Sequence, residues 1–142
     1  MLNDDSLALR IARAMLAAEG TGPAWGLSID EAREGYARVR MAVTPAMLNG
    51  HGTAHGGIIF ALADSAFAYA CNSRNLRSVA AQASIVYLEP AREGDVLIAE
   101  AEERALVGRS GVTHVAVRSE DGRPIAEFTG FSRSVGGEII ED

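Results

Sequence analysis

A single carboxylate, Asp64, lies inside an apolar stretch running from Ile58 to Cys71, and the loop directly before that stretch reads NGHGTAHGG, Asn49 to Gly57. A helix that is hydrophobic on every side belongs in a protein interior, and an ionisable acid near its midpoint carries a large desolvation cost unless something compensates it. An acid in that setting suits proton transfer or nucleophilic attack. The glycines supply a complementary group, because they open a helix whose first backbone N–H groups are unpaired and positively polarised. An acid and an anion hole are therefore encoded eight residues apart, at Asp64 and Gly56.

The same residues also have blander readings. A lone acid in an apolar helix can serve as a buried structural partner for an arginine. His51 and His55, four apart, suggest a metal site, yet no third His and no Cys stands near them in the sequence; structural zinc needs four ligands and catalytic zinc three, so no metal is expected. The glycines lack the Gly-Lys-Ser/Thr that closes a phosphate-binding P-loop. Cys71 sits two turns beyond Asp64 in apolar surroundings, where a lone thiol is normally inert packing, and Ser65, next to Asp64, points to a different helix face.

The elements that must position these groups follow from pattern. Asp4, Asp5 and Ser6 offer N-cap chemistry for a helix reaching about Glu19, with Leu7, Ile11, Ala14 and Met15 on one face, and the sequence GTGP then predicts its stop. Residues 26–43 read as a hairpin turning at Glu34-Gly35, its second strand alternating Tyr36, Arg38, Arg40 against Ala37, Val39, Met41. Pro45 begins an irregular link into the glycine loop. After the central helix, which is expected to end near Arg74, extended segments are predicted at 79–88, 96–107, 110–118 and 124–135. Gly108-Arg109 and Asp121-Gly122 are hairpin turns that make the last three an antiparallel meander. The total is an α+β fold: a long helix and five or six antiparallel strands, most economically a curved sheet wrapped around the helix.

The chain has 142 residues, enough for one domain spanning 1–142 and too few for two. A net charge of -6 argues against a general nucleic-acid or membrane-surface partner without excluding a local basic pocket. All 13 basic residues are Arg, which codon bias explains as well as function does. One cysteine rules out an internal disulfide framework and fits a reducing compartment, so a cytoplasmic setting is expected. The N-terminal MLNDDSLALRIARAML lacks the basic start and apolar run of a secretory leader, and the 58–71 run is too short to span a bilayer.

The run MLNGHGTAHGGIIFALADSAFAYACNS, Met47 to Ser73, resembles the signature of the PaaI-type hotdog thioesterases of phenylacetate degradation, and VYLEPAREGD, Val86 to Asp95, extends the resemblance. The resemblance implies the hotdog fold, acyl-coenzyme A thioester hydrolysis, no cofactor beyond the coenzyme A of the substrate, and a homodimer paired again into a homotetramer. It further implies that Gly56 holds the thioester carbonyl, that Asn49 assists and that His55 shapes the loop. The pantetheine arm would lie along Gly108, Arg109, Ser110 and Gly111. Related mammalian enzymes carry a water-holding serine where this chain has Ala80.

Thioester hydrolysis needs a base for water and donors for an oxyanion. Asp64 is the expected base, weakened as an acid by Leu62, Ala63, Ala66 and Phe67, or else a direct nucleophile; the N–H groups of Gly56 and Gly57 are the expected donors. Eight residues of helix span about 12 Å, too far for Asp64 and Gly56 of one chain to serve one carbonyl. Two such helices packed antiparallel about a two-fold axis would place each Asp64 beside the other copy's Gly56. Arg104, Arg109, Arg118 and Arg133 are candidates for the coenzyme A phosphates. Small Ala61, Ala68 and Ala70 with aromatic Phe60, Phe67 and Tyr69 are the expected acyl lining, which favours aryl-acetyl groups. The rival readings are a fatty acyl thioesterase and a non-catalytic acyl-coenzyme A sensor.

Overall fold

A computed structural model describes residues 5–142; of the N-cap candidates, Asp4 lies outside the described residues. Helix α1 (Leu7–Ala18) starts at Ser6, whose hydroxyl accepts from the Leu9 N–H at 3.2 Å. Its buried residues are Ala8, Ile11 and Ala12, so the inward face is rotated slightly from the one expected. Helix α1 stops before GTGP as expected, at Ala18, but the segment that follows is not a plain loop. Thr21–Trp25 form a short helix α2, because proline is tolerated in a first helical turn, and Gly26 ends it in the left-handed conformation at φ 64°.

Strands β1 (Ser28–Arg33) and β2 (Tyr36–Ala42) form the expected hairpin, and Pro45–Met47 make one 3-10 turn before the glycine loop. Helix α3 (Gly56–Cys71) then crosses the molecule, ending before Arg74, and is followed by β3 (Ser78–Tyr87), β4 (Val96–Val107), β5 (Ser110–Ser119) and β6 (Pro124–Ser134). The six strands pair antiparallel in the order β1-β2-β4-β5-β6-β3, with β4, β5 and β6 as the predicted meander.

The sheet closes around one side of α3. Ile59, Leu62, Ala63, Ala66 and Phe67 are buried against Val39, Met41, Ala99, Val115 and Phe128, and the Phe128 ring meets Phe60 at 5.2 Å and Phe67 at 5.8 Å between centroids. At Gly130 the strand lies so close that a Cβ would stand 2.7 Å from the Phe67 ring. Gly130→Ala is expected to destabilise the fold by about 1 to 3 kcal/mol through overpacking, measured by thermal melting; an unchanged melting temperature would show that the ring can yield.

Two features depart from a helix enclosed by its own sheet. Along α3, Ala61, Asp64 and Ala68 are only half-buried and Gly57 is exposed, which leaves an open stripe on the side turned away from the core. The two sheet edges also differ in kind. β1, SIDEAR, is short, charged and bulged, the usual protection of an edge. β3, SVAAQASIVY, is ten residues long, carries no charge and exposes Val79, Val86 and Tyr87.

Candidate active site

The glycine loop is shaped by its own side chains. Asn49 Oδ1 accepts from the backbone N–H of His51 at 2.9 Å and of Thr53 at 3.2 Å, tightening the turn. The Ala54 N–H donates to the carbonyl of Ala91 at 2.7 Å, so the 88–95 segment braces the loop from behind. His55 is the N-cap of α3, its Nδ1 accepting from the Gly57 N–H at 2.9 Å.

That cap changes the donor set. The sequence offers Gly57 a share of the oxyanion role, but its amide is engaged by His55, while the Gly56 N–H meets no acceptor among the described residues. One polarised donor therefore remains at the helix start. Gly56 is also held from its other side: the Tyr87 hydroxyl donates to the Gly56 carbonyl at 2.7 Å, and a Cβ on Gly56 would sit 3.0 Å from that hydroxyl. Asn49, Thr53, Gly56, Ile59 and Tyr87 line a cleft of about 300 Å³.

Asp64 does not line that cleft, since it lies two turns further along α3 on the open stripe. No ion pair or hydrogen bond engages its carboxylate among the described residues, which removes the reading of it as a structural partner for an arginine. Burial, and then the nearby carboxylate of Glu19, hold its pKa above the usual carboxylate range. Leu62, Ala63, Ala66 and Phe67, its apolar neighbours along the helix, are all buried in the core. Glu19, at the C-cap of α1, accepts from the hydroxyls of Thr21 (2.7 Å) and Tyr69.

The 108–111 turn stands at the opposite end of α3. Gly108 and Arg109 line a cavity of about 180 Å³ with Cys71, Arg74, Glu103 and Ser132. Ser110 is exposed, whereas Gly111 is buried, and a Cβ there would lie 2.6 Å from Ser132 Oγ; close packing accounts for that glycine. Arg104 and Arg118 pair with Glu102 and Glu100, while Arg109 and Arg133 pair with no carboxylate among the described residues. Arg133 Nη1 donates to Ser110 Oγ at 3.4 Å. Burial pushes the Cys71 thiol up to about 12, which suits packing rather than attack. Of the expected acyl lining, Ala70, Phe67 and Tyr69 lie within the core, and only Phe60, Ala61 and Ala68 remain half-buried.

Tyr87 and Glu19 carry no functional signal in the sequence. Tyr87 lies within the VYLEPAREGD phrase, but nothing in its local pattern tells that it reaches Gly56, 31 residues away. Glu19 reads simply as the last residue of a surface helix. Among the described residues no three His, Cys, Asp or Glu side chains converge as metal ligands, and no helix is long and apolar enough to cross a membrane.

Residues 51–126 match the model of the thioesterase superfamily. The chain is 42% identical over 128 residues to the acyl-coenzyme A thioesterase PaaI of Escherichia coli strain K12, covering 90% of this chain and 91% of that one. The structure of the E. coli PaaI protein from the phenylacetic acid degradation operon superposes with a TM-score of 0.91 at 41% identity, over 93% of this chain and 96% of that chain. A hypothetical thioesterase from Streptococcus pneumoniae TIGR4, solved with coenzyme A, matches with a TM-score of 0.76 at 29% identity, over 79% and 90%. A curved antiparallel sheet around one helix, an unpaired acid on that helix and a free glycine amide at its start thus occur in a chain that belongs to the thioesterase superfamily, among its PaaI-type hotdog members.

Proposed function

We propose that this chain hydrolyses aryl-acetyl thioesters of coenzyme A, phenylacetyl or hydroxyphenylacetyl, in sites shared between two copies. The observation that carries the reading is the unpaired Asp64 carboxylate on the open stripe of α3, two turns from the free Gly56 amide on the same helix. One chain cannot bring the two to one carbonyl, but two α3 helices lying antiparallel across their open stripes can. The long uncharged β3 edge supports that arrangement, because pairing with the same edge of a second copy would satisfy its free backbone groups.

In such a site Asp64 takes a proton from water as the water oxygen attacks the thioester carbon. The N–H of Gly56 in the other copy holds the oxyanion, and collapse breaks the C–S bond, the thiolate recovering the proton from Asp64. Attack by the Asp64 carboxylate itself, giving an anhydride that water then cleaves, uses the same placement. Ala80 offers only a methyl on β3, so water is held by Asp64 without help from that position. Asn49 and His55 shape the loop rather than touch the carbonyl. Arg109 and Arg133, with Ser110 beside them, are our candidates for the coenzyme A phosphates.

The dimer would pair again through the convex face of the sheet, where Val107 and Phe131 are exposed. The lone, buried Cys71 supports a cytoplasmic setting. The test is a thioester panel with detection of free thiol. Phenylacetyl-coenzyme A is expected to exceed hexanoyl-coenzyme A in kcat/KM by about two- to tenfold, the worth of an aromatic contact. A strong preference for long aliphatic chains would favour the fatty acyl reading, and binding without turnover the sensor.

Tyr87 acts here as a positioning residue for Gly56. Tyr87→Phe removes one hydrogen bond and keeps the ring, so kcat should fall about two- to tenfold with KM nearly unchanged. Steady-state kinetics showing no fall in kcat would leave Tyr87 with a packing role only.

A further inference from the structure

Glu19 stands where two separate effects disfavour an acid. It caps the C-terminus of α1, where the last carbonyls of the helix concentrate negative charge, and it acts on a second carboxylate, Asp64. No arginine relieves it among the described residues. Arg10 and Arg13 of the same helix pair with Asp142 and Asp5, and Arg77, which lines the same cleft as Glu19, donates to the Glu138 carbonyl at 2.9 Å. Hydrogen bonds hold it there instead, from the Thr21 hydroxyl at 2.7 Å and from the hydroxyl of Tyr69 on α3. Burial, and then the bond to Glu19, push the Tyr69 hydroxyl far above the ordinary phenol range, so it stays a donor. Tyr69 lies five residues past Asp64, so this clasp brings the α1 carboxylate against the part of α3 that follows the acid.

We propose that Glu19 is a positioning residue for the reaction, a fixed negative charge that α1 docks against the central helix so that Asp64 stays a strong proton acceptor. The assignment rests on the thioesterase reading above, with Asp64 as base or nucleophile, and adds the group that tunes it. No other element supplies such a charge among the described residues. β2, β5 and β6 turn Val39, Met41, Val115 and Phe128 towards α3, and the charged residues of β1 pair with Arg38, Arg40 and one another. On β4, Glu103 pairs with Arg74 at 2.7 Å and acts on Cys71 at the far end of the helix, while Tyr87 of β3 meets Gly56 at its start. A like charge disfavours the ionised form of a carboxylate, and so strengthens its pull on the proton of an attacking water. Both carboxylates are half-buried, where salt screens their interaction less than at the surface. The arrangement opposes stability twice, and an enzyme keeps such a group where activity gains from it.

The test follows kcat for phenylacetyl-coenzyme A against pH in Glu19→Gln. The amide keeps the shape of the side chain and can pair with both hydroxyls, which donate and accept, so only the charge is lost. The midpoint of the rising limb should fall by about half a pH unit to one unit, and kcat on the plateau by about two- to fivefold, with KM nearly unchanged. The melting temperature should hold or rise, whereas a purely structural Glu19 would lower it and leave the midpoint in place. Glu19→Asp, which retains the charge, should bring the midpoint back towards the native value. In an Asp64→Asn background Glu19→Gln should change kcat no further, because Glu19 acts through that acid. A midpoint that stays native in Glu19→Gln, or one that Gln and Asp move equally, overturns the assignment of Glu19 alone. A native protein inert to every acyl thioester, or one whose Asp64→Asn variant keeps its turnover, overturns the proposed function together with it.

Discussion

Asp64→Asn is expected to lower kcat by about 10² to 10⁴ while leaving the fold and the association of chains intact. The amide is nearly isosteric but accepts no proton at neutral pH and is a poor nucleophile, so the loss is the same under either route. Stability should move the other way. Burial and Glu19 raise the folded-state pKa of Asp64 above its unfolded value, so the folded protein binds that proton more tightly. Stability from this group is present below the unfolded pKa, is lost as pH rises through the folded one, and stays lost at neutral pH. The neutral amide carries no such penalty, and the variant should melt at a higher temperature than the native chain at pH 7. The native rate should in turn rise with pH through a midpoint above the ordinary carboxylate range, the limb on which the base becomes ionised. Near-native turnover in the variant would sink the assignment of Asp64, and a melting point that fell with pH-independent activity would place the residue among structural groups.

Mixing two inactive proteins should restore activity. A bulky change at Gly56, such as Gly56→Leu, drives a side chain into the Tyr87 hydroxyl and covers the free amide; loss of an oxyanion donor alone costs about 10² to 10³ in kcat. In an antiparallel pair each site draws its acid from one copy and its amide from the other. A mixed dimer of Asp64→Asn and Gly56→Leu chains therefore gathers both defects into one site and leaves the second intact. Mixed dimers make up about half of a freely exchanged pool, each with one working site of two, so about a quarter of native activity should return. Subunit exchange verified by mass, followed by no recovery, would show that acid and amide do not come from different chains.

Both predictions depend on features that differ in how far the sequence reveals them. The strands from 78 onward, the turns at Gly108-Arg109 and Asp121-Gly122 and the hairpin at Glu34-Gly35 are legible to within a residue or two, because alternation and turn chemistry act over a few neighbours. The same holds for Asp64 and Gly56: an acid in an apolar run and glycines at a helix start are local facts. Their separation of eight residues along one helix, about 12 Å, is read from the sequence as well.

The sidedness of α3 is decided by tertiary structure alone. A helix apolar on all faces has no periodic signal to mark which stripe stays open, so Phe67 and Tyr69 cannot be told from Ala61 and Ala68 except by the sheet that covers one flank. The loss of Gly57 as a donor follows from the rotamer of His55, and the contacts of Tyr87 with Gly56 and of Tyr69 with Glu19 join residues 31 and 50 apart. No local pattern encodes such meetings, which arise only when the edge strand and the first helix dock on the central one. The sequence on its own determined that an acid and a glycine amide share one helix; the packing around that helix decided which of its faces are covered and which stay open.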